Sequence, residues 1–102
     1  MLLDRVLPAP GTGPDSETRD TGYFSVRLHS RTTTGRLVQV QVSASGDPGY
    51  AATARMLGES ALALVLDGDR LPDRAGVLTP ATAMGQVLVD RLRVAGMILQ
   101  PL

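Results

Sequence analysis

Asp47-Pro48-Gly49-Tyr50-Ala51-Ala52-Thr53-Ala54-Arg55-Met56-Leu57-Gly58-Glu59-Ser60, continuing as Ala61-Leu62-Ala63-Leu64-Val65-Leu66-Asp67, is the stretch that decides how the chain is read. Proline is best tolerated at the first helical position, where its missing N–H is no loss. Pro48 is therefore expected to open a helix running to about Asp67, with Asp47 capping the free amides of the first turn. Tyr50, Thr53, Ala54, Leu57, Ala61 and Leu64 recur at helical spacing. Past Glu59 the other faces become apolar too, and a helix apolar all round is a buried one. The expectation is a central, buried helix.

Upstream, the pattern changes from helical to alternating. Phe24, Val26 and Leu28 fall on one side of an extended segment, with Tyr23, Ser25, Arg27 and His29 on the other. Val38, Val40, Val42 and Ala44 repeat that alternation after Thr32-Thr33-Thr34-Gly35, a loop whose glycine supplies positive φ. This is a half-buried antiparallel hairpin. Before it, Pro8 to Pro14 holds three prolines and two glycines and reads as a connector. Residues 1–22 are assigned to that extended connector, with one apolar helical turn, or the stump of a longer helix, at Met1–Leu7 and one exposed polar turn at Asp15–Asp20. Residues 23–102 form the folded part.

Downstream, Asp67–Gly76 is a polar loop, and then the opening device recurs. Thr79 caps, Pro80 takes the first helical position, and a helix runs to about Ala95, where Gly96 closes it. Met84, Leu88, Leu92 and Ala95 form its apolar stripe, with Val87 and Val94 alongside. Met97-Ile98-Leu99 fits a short third strand beside the hairpin. The fold class is α+β: an antiparallel hairpin, extended by a third strand if 97–99 pairs, against two helices.

Composition removes several function classes. The 102 residues carry no net charge and only three aromatics, Tyr23, Phe24 and Tyr50, so neither the basic excess nor the stacking surface of nucleic-acid binding is present. Without cysteine there is no disulfide, thiolate catalysis or zinc–thiolate site. All ten basic residues are arginine, which removes lysine Schiff-base chemistry. No run approaches the length of a membrane span, and the start has no signal-peptide pattern. A cytoplasmic protein is the default expectation.

Three blocks in order carry a family resemblance: Gly11–Pro14 with Arg19 and Gly22; Gly46–Tyr50 with Thr53, Met56-Leu57 and Glu59-Ser60-Ala61; and Gly76–Gly85 with Arg91-Leu92. With this order and spacing the chain, from about Pro8 onward, resembles the C-terminal region of saccharopine dehydrogenase-like oxidoreductases, in the branch that includes the trans-acting enoyl reductases. The resemblance implies an NAD(P)-dependent parent enzyme opening with a Rossmann domain. That domain's glycine-rich loop follows a strand and leads into a helix. Gly11-Thr12-Gly13 instead follows proline and leads into Pro14, so no cofactor is expected to bind this chain alone, and no metal site is indicated.

The candidate substrate-binding residues are Asp47, Gly49, Tyr50 and Thr53 at the first helix start and Thr79 and Thr82 at the second. Free N–H groups and the positive dipole end favour anions there, while small neighbours allow close approach by a ligand or a second helix. His29 stands alone on a polar strand face, and no residue is assigned a catalytic role. Glu59 pairs with Arg55 one turn before it, or with a more distant arginine such as Arg91; a structural ion pair is favoured over acid–base catalysis. The functional expectation is the substrate-side or assembly portion of such an oxidoreductase, inactive alone. The alternative is a stand-alone, self-associating interaction module. Partners are accordingly a second copy of the chain or a Rossmann-bearing chain, and the choice between amino-acid and acyl substrates stays open.

Overall fold

A computed structural model describes residues 11–102; the expected apolar turn at 1–7 lies outside them. Strands β1 (Tyr23–Arg31) and β2 (Leu37–Ser45) pair antiparallel, with Phe24 opposite Ala44, Val26 opposite Val42 and Leu28 opposite Val40. The alternating pattern thus becomes one apolar sheet face. The connection closes where Thr32 N–H donates to Arg36 O and Gly35 N–H to Thr32 O, both at 2.9 Å, with Gly35 at φ 87°. Strand β3 (Ile98–Pro101) pairs antiparallel with β2, so the strand order is β1-β2-β3. The expected third strand is present.

Among the described residues three α-helices accompany the sheet: α1 (Ser16–Thr21), α2 (Ala51–Leu66) and α3 (Pro80–Val94). Asp15 caps α1 by accepting from Thr18 N–H at 2.7 Å, and the exposed polar turn expected at Asp15–Asp20 is this short helix. It is tied to the body by Asp47 N–H on Arg19 O at 2.9 Å and Gly46 N–H on Gly22 O at 2.6 Å.

The start of α2 differs from its expectation by three residues. Pro48 and Gly49 lie in a turn, and the helix begins at Ala51 with Tyr50 in the cap position, making no side-chain cap bond. Asp47 Oδ2 accepts from Tyr50 N–H at 2.8 Å and Asp47 O from Ala52 N–H at 3.0 Å. Aspartate readily closes a turn on backbone two or three residues ahead, and here that bond forms the approach to the helix rather than its cap.

Helix α3 starts and stops as its sequence indicates. Thr79 Oγ1 accepts from Thr82 N–H and Pro80 is the first helical residue. At the far end Gly96 N–H donates to Arg93 O and Met97 N–H to Leu92 O, with Gly96 at φ 88°. This is the paired-bond C-terminal motif that a left-handed glycine makes possible. Its hydrophobic contact is supplied by Leu92 and Met97, both buried. One feature is unexpected: Gly85, at φ 53° and ψ −134°, breaks the helix after its first turn. The Pro72 ring packs there, 3.5 Å from where a Cβ would sit.

The core lies on α3. Its buried cluster comprises Ala44, Ala63, Met84, Val87, Leu88, Leu92 and Met97. The expectation that α2 is the buried central helix is corrected: α2 buries only Ala52 and Ala63, whereas Leu57 is 70% and Val65 78% exposed. It docks through alanines on one side, and a three-stranded sheet plus one helix cannot enclose the others. The radius of gyration is 17.4 Å, against about 13 Å for a compact domain of this length. Replacing Gly85 by alanine is expected to lower stability by about 1–2 kcal/mol, since the cost of left-handed backbone falls on any residue with a Cβ. An unchanged denaturation midpoint would show that the break is not a feature of the folded state.

Candidate functional site

The six candidate residues do not converge on one pocket. Thr53 lines a shallow apolar groove of about 300 Å3 between α2 and α3, shared with Met56, Leu57, Pro80, Leu88 and Leu92. Tyr50 faces the other way, toward a concavity of about 390 Å3 formed with Arg19 and Asp20 of α1. Asp47 and Gly49 belong to the turn between them, where a Cβ on Gly49 would come within 3.2 Å of Asp47 Oδ2.

The polar groups at both helix starts are already engaged. Asp47 holds Tyr50 N–H, and the Thr53 hydroxyl donates to Pro48 O. Thr79 and Thr82 share a hydroxyl–hydroxyl hydrogen bond of 2.9 Å beside the cap bond. His29 is exposed on β1, opposite Gln39. Among the described residues no group of histidines and carboxylates is arranged to hold a metal ion.

The densest electrostatic cluster gathers at the end of α2. Arg91 Nη1 lies 3.2 Å from Glu59 Oε2, so of the two pairings open to Glu59, with Arg55 or with a distant arginine, the distant one is formed. Arg91 Nε also donates to Asp67 Oδ2, and Arg70 Nη1 reaches Asp67 Oδ1 at 3.1 Å. With Asp90, these residues line a concavity of about 380 Å3. The hydrogen bond from Arg91 holds the Asp67 carboxyl below the usual carboxylate range, and the same contact raises the Arg91 guanidinium. Each charged group faces an opposite charge, and no unpaired base or nucleophile is left over. The arrangement clamps α2 to α3.

Asp67 and Arg70 were not singled out from the sequence, yet a signal was there. A carboxylate ending a helix opposes the negative pole of the helix dipole, and that conflict calls for a nearby cation.

No protein-family model and no solved structure matches the chain. Curated proteins do. A Mycobacterium tuberculosis protein provisionally named a trans-acting enoyl reductase is 50% identical over 99 residues, covering 97% of this chain and 24% of that protein. The trans-acting enoyl reductase of Mycobacterium ulcerans is 47% identical over 96 residues, covering 94% and 23%. That of Mycobacterium bovis is 44% identical over 98 residues, covering 96% and 23%. The chain spans about a quarter of the length of these relatives.

The folded-state acidity of Asp67 has a direct consequence for stability. Its carboxyl is held lower in the folded than in the unfolded chain, so its contribution is present at neutral pH and lost as pH falls through the folded value. The stability gap between the native chain and Asp67→Asn is therefore expected to be widest near neutrality and to close in strong acid. A gap independent of pH, measured by denaturant unfolding at a series of pH values, would contradict the clamp.

Proposed function

We propose that this chain is the substrate-side or assembly portion of an enoyl-reductase-like, NAD(P)-dependent oxidoreductase, and that these 102 residues are catalytically silent alone. The observation that carries the reading is identity of 44–50% to proteins named trans-acting enoyl reductase along 94–97% of the chain. Similarity that even supports a shared structural role for the whole segment. The name of those relatives points to acyl rather than amino-acid substrates.

The geometry agrees with a supporting part. Among the described residues the one strand that runs through glycines into a helix, β2 through Gly46 and Gly49 into α2, lies in an antiparallel sheet and lacks the G-x-G-x-x-G spacing. Gly13 packs on the Tyr50 hydroxyl, where a Cβ would lie 3.2 Å from its oxygen, and the helix that follows has six residues, all exposed. These residues do not fit a dinucleotide, whose phosphates need such a loop opening onto a helix N-terminus. The second reading, an interaction module without catalysis, is favoured by the apolar, exposed outer side of α2.

Two measurements test the proposal. Titrated with NADPH, the 102-residue chain is expected to show no binding at micromolar concentration; saturable binding would contradict its silence. Grafted in place of the matching quarter of the M. ulcerans relative, it is expected to leave NADPH-dependent reduction of an enoyl thioester at the relative's own level. A folded chimera without that activity would overturn the reading.

A further inference from the structure

The neutral total charge of the chain hides a segregation. Between Asp20 and Asp47 lie Arg27, Arg31 and Arg36 and no acidic residue, so this stretch carries +3 against −3 in the remainder, with histidine counted neutral. The stretch is the hairpin. Arg27, His29 and Arg31 are alternate residues of β1, on the sheet face opposite the one whose Phe24 and Val42 pack on the buried cluster. All three are exposed. A carboxylate across the strand would stabilise each arginine, but the register sets Gln41, Gln39 and Leu37 opposite the row, with Gln100 of β3 beyond Gln41. The ion pairs among the described residues all lie on α2, α3 and the loop between them, so the three hairpin arginines have none. The face is a row of nitrogen donors backed by side-chain amides, with no anion of its own.

We infer that this face docks an acidic helix of a protein partner. Alternate residues of a strand stand about 6.6 Å apart, and carboxylates at every fourth position of an α-helix rise by about 6 Å. A helix laid along β1 therefore brings one acidic side chain to each member of the row. Guanidinium forks hold carboxylates through two parallel hydrogen bonds, and the His29 ring has an N–H to donate in either protonation state. The glutamine amides add donors along the flank. A nucleic-acid strand is a poorer match: the row offers no aromatic for base stacking, and the −3 on the rest of the chain opposes a polyanion. A bilayer is poorer too, since surface attachment joins basic charge to an inserted apolar side, and the row has no apolar member. A charged face is stable in water without a cover, so the greater length of the relatives is not needed to account for it; what the face lacks is an opposite charge. The inference stands apart from the proposed reductase role.

Fluorescence anisotropy tests it, with the 102-residue chain titrated into a labelled, alanine-rich helical peptide that carries glutamate at every fourth position. Saturable binding that weakens as sodium chloride is raised is expected. Arg27→Gln combined with Arg31→Gln is expected to weaken it about tenfold, with far-UV circular dichroism unchanged. Arg19→Gln combined with Arg74→Gln, which removes the same charge from exposed positions off the hairpin, is expected to leave it unchanged. The peptide is also expected to bind the M. ulcerans chimera. No binding by the native chain overturns the proposal, and so does equal weakening, or none, in the two double variants. Tighter binding of an oligouridylate or of phosphatidylserine vesicles than of the peptide overturns the choice of partner. Binding to the isolated chain but not to the folded chimera would show that the rest of the reductase occupies the face, and overturns the proposal as well.

Discussion

Arg91 is the residue on which the arrangement of the two long helices depends. It reaches Glu59 in the middle of α2 and Asp67 at its end, so one guanidinium fixes both the position and the rotation of α2 on α3. The apolar part of that contact is small: α2 contributes only Ala63 to the buried cluster. Alanines allow close approach without specifying a rotation, and the ion pairs supply what they lack. Two carboxylates on one guanidinium also leave no acidic group unpaired at a helix end whose dipole disfavours negative charge.

From α3 the same logic extends to the sheet. The glycine at position 96 turns the chain back through Met97, whose burial beside Leu92 places β3 against β2. Arg93 reinforces this by donating to Leu99 O through Nε at 2.9 Å. The order of attachment is therefore α2 to α3, α3 to β3, and β3 to the hairpin. Nothing in that sequence of contacts covers the outer side of α2, or the far half of the hairpin, where Val26 and Leu28 are each about half exposed. Both surfaces are apolar and open to solvent among the described residues.

Much of this was legible in the amino-acid sequence because it rests on local rules. The alternation from Tyr23 to Arg31 and from Arg36 to Ala44 defines the hairpin, and Thr79-Pro80 and Gly96 define the ends of α3, since capping and turn chemistry act within a few residues. The pairing of Glu59 with Arg91 was legible from an acidic residue among apolar neighbours. What was not legible depends on the third dimension. An all-apolar helix reads as buried, but burial needs neighbours, and counting them requires knowing that α3 takes the core. The candidate residues Asp47, Gly49, Tyr50, Thr53, Thr79 and Thr82 belong to two similar helix starts; Thr53 and Pro80 bring those starts to one apolar groove, but Tyr50 turns to a different concavity and Thr79 and Thr82 bond each other. The break at Gly85 lies against the ring of Pro72, thirteen positions away, a neighbour that no local pattern announces.

The central claim is that α3 carries the core while α2 docks on it through Ala63 and leaves its leucines outside, and one comparison of stabilities tests this directly. Leu88 is buried in the cluster and Leu66, at the end of α2, is 66% exposed. Each is truncated to alanine and the unfolding free energy measured at a protein concentration low enough to keep association out of the reading. The expected result is a loss of about 2–5 kcal/mol for Leu88→Ala, as for other buried leucines, and a change within about 0.5 kcal/mol for Leu66→Ala, as for surface positions. Equal losses at the two positions would place α2 inside the core and contradict the account.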